Sequence, residues 1–372
     1  MFTPFPEIKK NFGFGAMRLP MKDDTIDHEY FTQMVDTFME SGFNYFDTAH
    51  CYHGGFSEIA LRECLTKRYP RESFLLTNKL TENYFQTQED IRPFFESQLN
   101  DCGVEYFDFY LLHAQHSGNY PKYQQTKAYE TVMELKREGK IRHVGFSFHD
   151  NAECLDKILT DHPEVEVVQL QFNYLDYEDD RVQGRLCYEV CCKHQKPVIV
   201  MEPVRGGRLV NIPERAKDVF ASVGSGSVAS FALRYAASFD NIFMVLSGMS
   251  NMEQVLDNVA TFQNFKPLNE EEFAACYKVT DILRRRDIVP CTACRYCTDE
   301  CPAKINIPTL FDILNQERRE RSPANTEAYI AATQTSGKAS DCLACGLCER
   351  SCPQHLKIRE LLGEVKKTFE KE

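Results

Sequence analysis

The sequence contains no tryptophan and no long apolar run, so no segment is suited to cross a membrane and any aromatic substrate wall must come from Tyr or Phe, such as Tyr52 or Phe56. Basic residues are in the minority. With 43 Lys and Arg against 55 Asp and Glu the formal charge is −12, which argues against a nucleic-acid partner. The stretch Met1–Phe12 lacks the apolar core and small-residue cleavage site of a secretory signal, so a cytoplasmic protein is expected. A third glycine is missing too: Gly13-Phe14-Gly15 lies inside a strand candidate and lacks the G-x-G-x-x-G turn of a doubly wound dinucleotide fold.

What is present is globular. A chain of 372 residues with 43% hydrophobic content exceeds one ordinary domain and excludes wholesale disorder. Short apolar runs predict strands over Phe12–Met17, Tyr45–Asp47, Phe74–Lys79, Phe107–His113, His143–Phe148, Val167–Phe172, Val198–Glu202 and Ile242–Leu246. Between them lie helix-forming stretches such as His28–Glu40, Tyr123–Glu138 and Val228–Ala237, and Met252–Phe262 follows the last strand. Near-continuous apolar strands alternating with helices predict an α/β fold, a (β/α)8 TIM barrel.

Ser250-Asn251-Met252-Glu253 reads as a capping box, and Gly103 and Gly139 as helix ends. The expected organisation is a barrel over 1–268, a connecting helix over 269–286 ending in the solvated run Arg284-Arg285-Arg286, and a second domain over 287–372. The second domain is nearly neutral, with 12 basic and 13 acidic residues, so the barrel carries almost all the negative charge.

The 16 cysteines are unevenly placed. Half are scattered through the barrel and read as buried free thiols. The others form two copies of one pattern, Cys291-x2-Cys294-x2-Cys297-x3-Cys301-Pro302 and Cys342-x2-Cys345-x2-Cys348-x3-Cys352-Pro353. This is two-cluster ferredoxin spacing, in which the fourth cysteine of each run ligates the other cluster. One [4Fe–4S] cluster is assigned to Cys291, Cys294, Cys297 and Cys352, the second to Cys342, Cys345, Cys348 and Cys301. Zinc has no use for a third cysteine at the same step, and disulfides would need an oxidising compartment. The long connection Pro302–Asp341, with helix-like Thr309–Arg319 and Thr326–Thr335, predicts a mainly helical ferredoxin-like domain.

Chemistry in such a barrel belongs at the C-terminal ends of its strands. There stand Asp47 and Tyr52 in Asp47-Thr48-Ala49-His50-Cys51-Tyr52, Lys79 in Thr77-Asn78-Lys79, and His113 in Leu111-Leu112-His113. With Gly13-Phe14-Gly15-Ala16-Met17-Arg18-Leu19-Pro20 and Ser57-Glu58, these motifs resemble the aldo-keto reductase family over about residues 8–265. With its cysteine domain, the whole chain is similar to the iron–sulfur-containing branch of that family. The resemblance implies Tyr52 as proton donor to a carbonyl, Lys79 lowering its pKa, Asp47 orienting Lys79, and His113 polarising the substrate oxygen.

The same resemblance implies NADP(H) or NAD(H) as cofactor. Ser147 and Gln169 match carboxamide contacts, and Met201 stands where an aromatic ring commonly covers the nicotinamide. Gly248, Ser250 and the following helix N-terminus match the phosphate end, and Asn258 an adenine contact. Gln254 replaces the usual arginine for a 2′-phosphate, a role for which Arg205, beside Gly206-Gly207, is a candidate. His50, Cys51 and His53 do not read as a metal site, since no carboxylate recurs at ligand spacing.

The expected function is hydride transfer between a nicotinamide cofactor and a small-molecule carbonyl or alcohol, with two [4Fe–4S] clusters attached for electron transfer. An external electron carrier such as a ferredoxin is a candidate partner. Two alternatives remain: a ferredoxin-linked reductase that does not use nicotinamide, and a redox or nucleotide sensor with structural clusters.

Overall fold

The computed structural model describes residues 4–284, 288–319 and 321–370. The chain divides into two compact units, Met1–Val204 with Pro213–Thr280, and Arg205–Ile212 with Asp281–Glu372. Two differences from expectation follow. Most of the helix predicted as a connector belongs to the first unit, and an eight-residue excursion after the seventh barrel strand belongs to the second. Arg285, Arg286 and the expected boundary at 287 lie outside the described residues.

The strands in chain order are β1 (Phe12–Gly15), β2 (Met21–Lys22), β3 (Thr25–Ile26), β4 (Tyr45–Asp47), β5 (Leu75–Leu80), β6 (Phe107–Gln115), β7 (Ile141–Phe148), β8 (Val167–Gln171), β9 (Val198–Met201) and β10 (Ile242–Gly248). β1 and β4–β10 form a closed parallel barrel in which β1 pairs with both β10 and β4. The fold is the expected (β/α)8 barrel.

The apolar runs are continuous because both strand faces are covered: all of Leu75–Leu80 and Val167–Gln171 is buried. At the N-terminal end of the barrel, Phe5 and Ile8 pack with Phe109, Ile199, Phe243 and Leu246. Phe5 meets Phe109 edge-on at 5.1 Å. His143 Nε2 lies 2.7 Å from Glu7 Oε1 and ties the same segment down.

Two elements depart from the sequence reading. β2 and β3 form an unpredicted hairpin, whose turn residues Asp23 and Asp24 have φ of 49° and 62°. Aspartate tolerates that left-handed pair, as a tight two-residue hairpin turn requires. The single helix predicted over Tyr123–Glu138 is two, Tyr120–Gln125 and Ala128–Arg137, broken at Lys127 with φ 51°.

The helix Glu270–Leu283 opens on a reciprocal cap, Asn269 Oδ1 accepting from Glu272 N at 2.9 Å and Glu272 Oε2 from Asn269 N at 3.0 Å. Arg234 binds both Glu272 oxygens at 2.7 Å.

The second unit is helical, with Tyr296–Asp299, Ile307–Arg319, Pro323–Ala332, Leu347–Arg350 and Ile358–Phe369 around a core of Ile305, Ile307, Leu310, Phe311, Leu362 and Val365. Its two cysteine runs repeat one backbone course. Ala293 and Ala344 both have φ 54°, Arg295 and Gly346 φ 68° and 78°, and Lys304 and His355 φ 52° and 48°. Each run then enters a four-residue helix, and Lys304 N and His355 N close the same 3.0 Å turn onto Cys301 O and Cys352 O.

Candidate active site and the two cysteine-lined cavities

Strand register brings the four barrel residues together. Asp47 ends β4, Lys79 sits in β5, His113 in β6, and Tyr52 in the turn Tyr52–Gly55 after β4. Lys79 Nζ donates to Asp47 Oδ1 at 2.6 Å and to Thr48 O at 2.7 Å. It also lies 5.0 Å from the centroid of the Tyr52 ring, whose edge meets His113 at 6.1 Å. The Lys79 side chain is fully buried, and Asp47 is its ion-pair partner.

Burial pushes the Asp47 carboxyl above the ordinary carboxylate value, against the pull of Lys79 and the Gln169 amide. Burial, with the Lys79 and His149 charges, pushes His113 well below an ordinary imidazole, so it is neutral at physiological pH. Thr81 Oγ1 lies 2.7 Å from His113 Nδ1, and Cys51 Sγ 3.9 Å from the same nitrogen.

The carboxylate that spacing concealed beside His50 is Glu58, whose Oε2 lies 2.6 Å from His50 Nδ1 with Asp101 nearby. Both Glu58 oxygens are already engaged, since Oε1 accepts from Asn78 Nδ2 at 2.7 Å and Gln98 Nε2 at 3.1 Å. Gln98 Nε2 also reaches Lys79 O at 3.1 Å, so this buried network braces the strand that carries Lys79.

In the second unit the eight cysteines line two cavities. One is bounded by Cys291, Cys294, Cys297 and Cys352, the other by Cys301, Cys342, Cys345 and Cys348. The fourth cysteine of each run thus joins the other run's first three, the interleaving that the spacing implies. The remaining walls are mostly apolar, with Ile307 common to both, and Ala293 N donates to Cys291 Sγ at 3.4 Å. Four convergent sulfurs in an apolar wall are a donor set suited to an iron–sulfur cubane.

The Aldo/keto reductase family model matches residues 11–281. The chain belongs to the aldo/keto reductase family. It is an oxidoreductase, and a 4Fe-4S dicluster domain matches residues 290–357. The chain is 26% identical to an Escherichia coli NADH-specific methylglyoxal reductase over 273 residues, 61% of this chain and 81% of that protein. It is 24% identical to an L-galactose dehydrogenase of Arabidopsis thaliana, covering 70% and 86%. Among solved structures, an aldo/keto reductase from Klebsiella pneumoniae in complex with NADPH superposes with TM-score 0.60 at 20% identity, covering 74% of this chain and 93% of that one.

On this aldo/keto reductase barrel, the residues expected to bind nucleotide are spread over the ends of β7–β10 and the following helix. Ser147 pairs in register with Gln169. Ser147 Oγ accepts from Ala114 N at 2.7 Å and keeps its own proton for an acceptor. Gln169 Nε2 donates to Asp47 Oδ2 at 3.1 Å, leaving its carbonyl oxygen to accept. That donor and acceptor suit a carboxamide. Met201 ends β9 and Gly248 ends β10.

Four of the residues named for nucleotide binding make contacts within the protein, and Ser250 is not the helix cap. The cap of the helix Met252–Gln263 is Asn251, which accepts from Gln254 N at 2.9 Å, whereas Ser250 Oγ donates to Arg18 O at 2.8 Å. Gln254 Oε1 folds back onto Ser250 N at 2.7 Å, and the buried Asn258 donates to Ser247 Oγ at 3.1 Å. Arg205 lies in the second unit, buried, with its guanidinium on Gln354 and Pro290.

Sequence reading missed Thr81 and Arg18. Alternation along β5 puts Thr81 two residues beyond Lys79 on its face, a signal that was available. Arg18 stands in the quoted first-strand motif, and its side chain passes beside Gly248, with Nη2 3.3 Å from Glu202 Oε1.

Proposed function

We propose that the barrel reduces a small-molecule carbonyl, or oxidises the corresponding alcohol, with a nicotinamide nucleotide, and that the second unit carries two [4Fe–4S] clusters. The observation that supports this most is the Lys79 ammonium, held by Asp47 at 2.6 Å and 5.0 Å from the Tyr52 ring centroid.

Tyr52 donates its phenolic proton to the carbonyl oxygen, and the nearby Lys79 charge stabilises the phenolate left behind. Neutral His113 donates a hydrogen bond to the same oxygen as negative charge develops there. Ser147 and Gln169 would hold the carboxamide, Met201 would cover the ring, and Gly248 with Ser250 would face the phosphates. When bound, a nicotinamide would supply a hydride to the carbonyl carbon, and that hydride with the proton from Tyr52 converts carbonyl to alcohol. Cys291, Cys294, Cys297 and Cys352 would hold one cluster, and Cys301, Cys342, Cys345 and Cys348 the other, each suited to one-electron transfer with an external carrier.

The test is anaerobic turnover with NADH and NADPH on a panel of small aldehydes and ketones, including methylglyoxal. Wild type oxidises at least one nucleotide in a carbonyl-dependent manner, and Tyr52→Phe slows this by about 10²–10⁴. Full turnover by Tyr52→Phe removes the acid assignment. Failure of both nucleotides to bind supports a ferredoxin-linked reductase instead.

A further inference from the structure

The two cysteine runs share one backbone course yet differ at one position in what they bury. After the leading cysteine of the first run stands Thr292, a polar residue that is 3% exposed. The same position in the second run is Leu343, an apolar residue that is 68% exposed. The next cysteines follow suit, Cys294 being half-buried and Cys345 exposed.

The first run is overlaid within its own unit. The excursion Arg205–Ile212 belongs to that unit, with Arg208 Nη1 donating to Val289 O at 3.4 Å and Arg205 Nη2 to Gln354 Oε1, on the wall of the first cavity, at 2.8 Å. Leu343 and Cys345 both line the second cavity, which therefore reaches the surface through a large apolar side chain. A single exposed leucine is ordinary. This one stands on the wall of a cavity suited to a redox group, at a position whose counterpart is buried.

The rim is basic. Lys304 sits between Ala303 and Ile305, and Arg350 two residues beyond Cys348, and those three neighbours all line the cavity. Lys304 and Arg350 are exposed, with no carboxylate partner among the described residues. Glu349 is already engaged, its Oε1 by Arg359 N and its Oε2 by Arg359 Nε, both at 2.9 Å. An apolar centre with an unpaired cationic rim complements an acidic protein surface.

On the reading that each cavity holds a cubane, we propose that the face around Leu343 docks a small acidic one-electron carrier protein of the ferredoxin or flavodoxin kind. The cluster held by Cys301, Cys342, Cys345 and Cys348 is then the port of the pair. The reduced carrier gives up one electron and that cubane takes it, with no bond made or broken and no proton moved.

The experiment uses the full chain, reconstituted anaerobically, with two acidic carriers as probes: reduced [2Fe–2S] ferredoxin and flavodoxin hydroquinone. Stopped-flow absorbance follows oxidation of each carrier, and dithionite serves as a small reductant that needs no docking face. The underlying reading requires about eight iron per chain and bleaching by dithionite. A lower count, or no bleaching, sinks that reading and the docking face with it. Every other outcome bears on docking alone.

Wild type oxidises at least one carrier. Leu343→Glu, which replaces the apolar contact with a like charge, slows this by about tenfold or more and leaves the dithionite rate unchanged. Lys304→Glu/Arg350→Glu, at positions that line neither cavity, slows it by about tenfold at low salt, a deficit that narrows as salt is raised. Leu186→Glu, on the barrel helix Gly184–Lys193, changes neither rate. If Leu343→Glu loses iron, the double variant decides.

The proposal is overturned if a chain that dithionite bleaches oxidises neither carrier, or if either variant that keeps its iron reacts with the carriers at the wild-type rate. It is also overturned if dithionite reduction slows equally. A wild-type dimer that Leu343→Glu splits, with carrier oxidation unchanged, assigns the face to a second copy of the chain instead.

Discussion

Thr81 Oγ1 lies 2.7 Å from His113 Nδ1, a contact between the residue that follows one barrel strand and the C-terminal part of the next. A hydroxyl donating to Nδ1 puts the ring proton of neutral His113 on Nε2, the nitrogen then available to a carbonyl oxygen. Thr81→Val should lower kcat by about two- to tenfold, one hydrogen bond's worth, with little change in KM. Thr81→Ser should restore it. Equal activity of wild type and Thr81→Val in steady-state assays would show that Thr81 does not orient the ring.

Asp47 serves two neighbours at once, Lys79 through Oδ1 at 2.6 Å and Gln169 through Oδ2 at 3.1 Å. Asp47→Asn leaves a buried ammonium without its counter-charge and is expected to destabilise the chain by about 3–5 kcal/mol. The double variant Asp47→Asn/Lys79→Met should recover most of that stability in denaturant titrations while remaining inactive. Unchanged stability in Asp47→Asn would contradict a buried ion pair.

Glu166 gives the protein an acid-sensitive contact. Burial raises its carboxyl, but His143, Lys136 and the Val144 amide outweigh that and hold it at about 2, below the ordinary 4.5. Its folded-state value is depressed, so its contribution to stability is present above about pH 4.5 and is lost as pH falls from there towards 2. Thermal melts across that window should show a steeper loss for wild type than for Glu166→Gln. Parallel curves would remove Glu166 as a source of acid lability.

The interleaved cavities predict which cysteine variants resemble one another. Cys352→Ser should perturb the same EPR signal as Cys294→Ser, and Cys301→Ser the same one as Cys345→Ser, despite their positions in opposite runs. A grouping by run, with Cys301→Ser matching Cys294→Ser, would show that each run closes its own cluster.

The barrel was legible because its strands, buried on both faces, read as continuous apolar runs, and because the sites lie at strand ends. Tyr45–Asp47 and His28–Glu40 fall where the runs place them. The pairing of Cys352 with the first run was legible for a different reason, since cluster spacing is a geometric code.

What was hidden rests on contacts between distant residues. Thr81 meets His113 only through the register that sets Leu80 beside Leu112. The contacts of Arg205 with Pro290 and Gln354 carried no signal because those partners are remote in sequence. The hairpin Met21–Ile26 escaped because two-residue strands carry no periodicity.

Hydride delivery from a nicotinamide beside Tyr52 is the reaction proposed for the barrel. Single-turnover reduction of a small carbonyl with NADH or NADPH deuterated at the transferring C4 position, under anaerobic conditions, follows the hydride itself. One deuterium is expected on the former carbonyl carbon of the product alcohol. Product without deuterium there, its new C–H drawn from solvent, would mean that electrons arrive one at a time by another route and would contradict it.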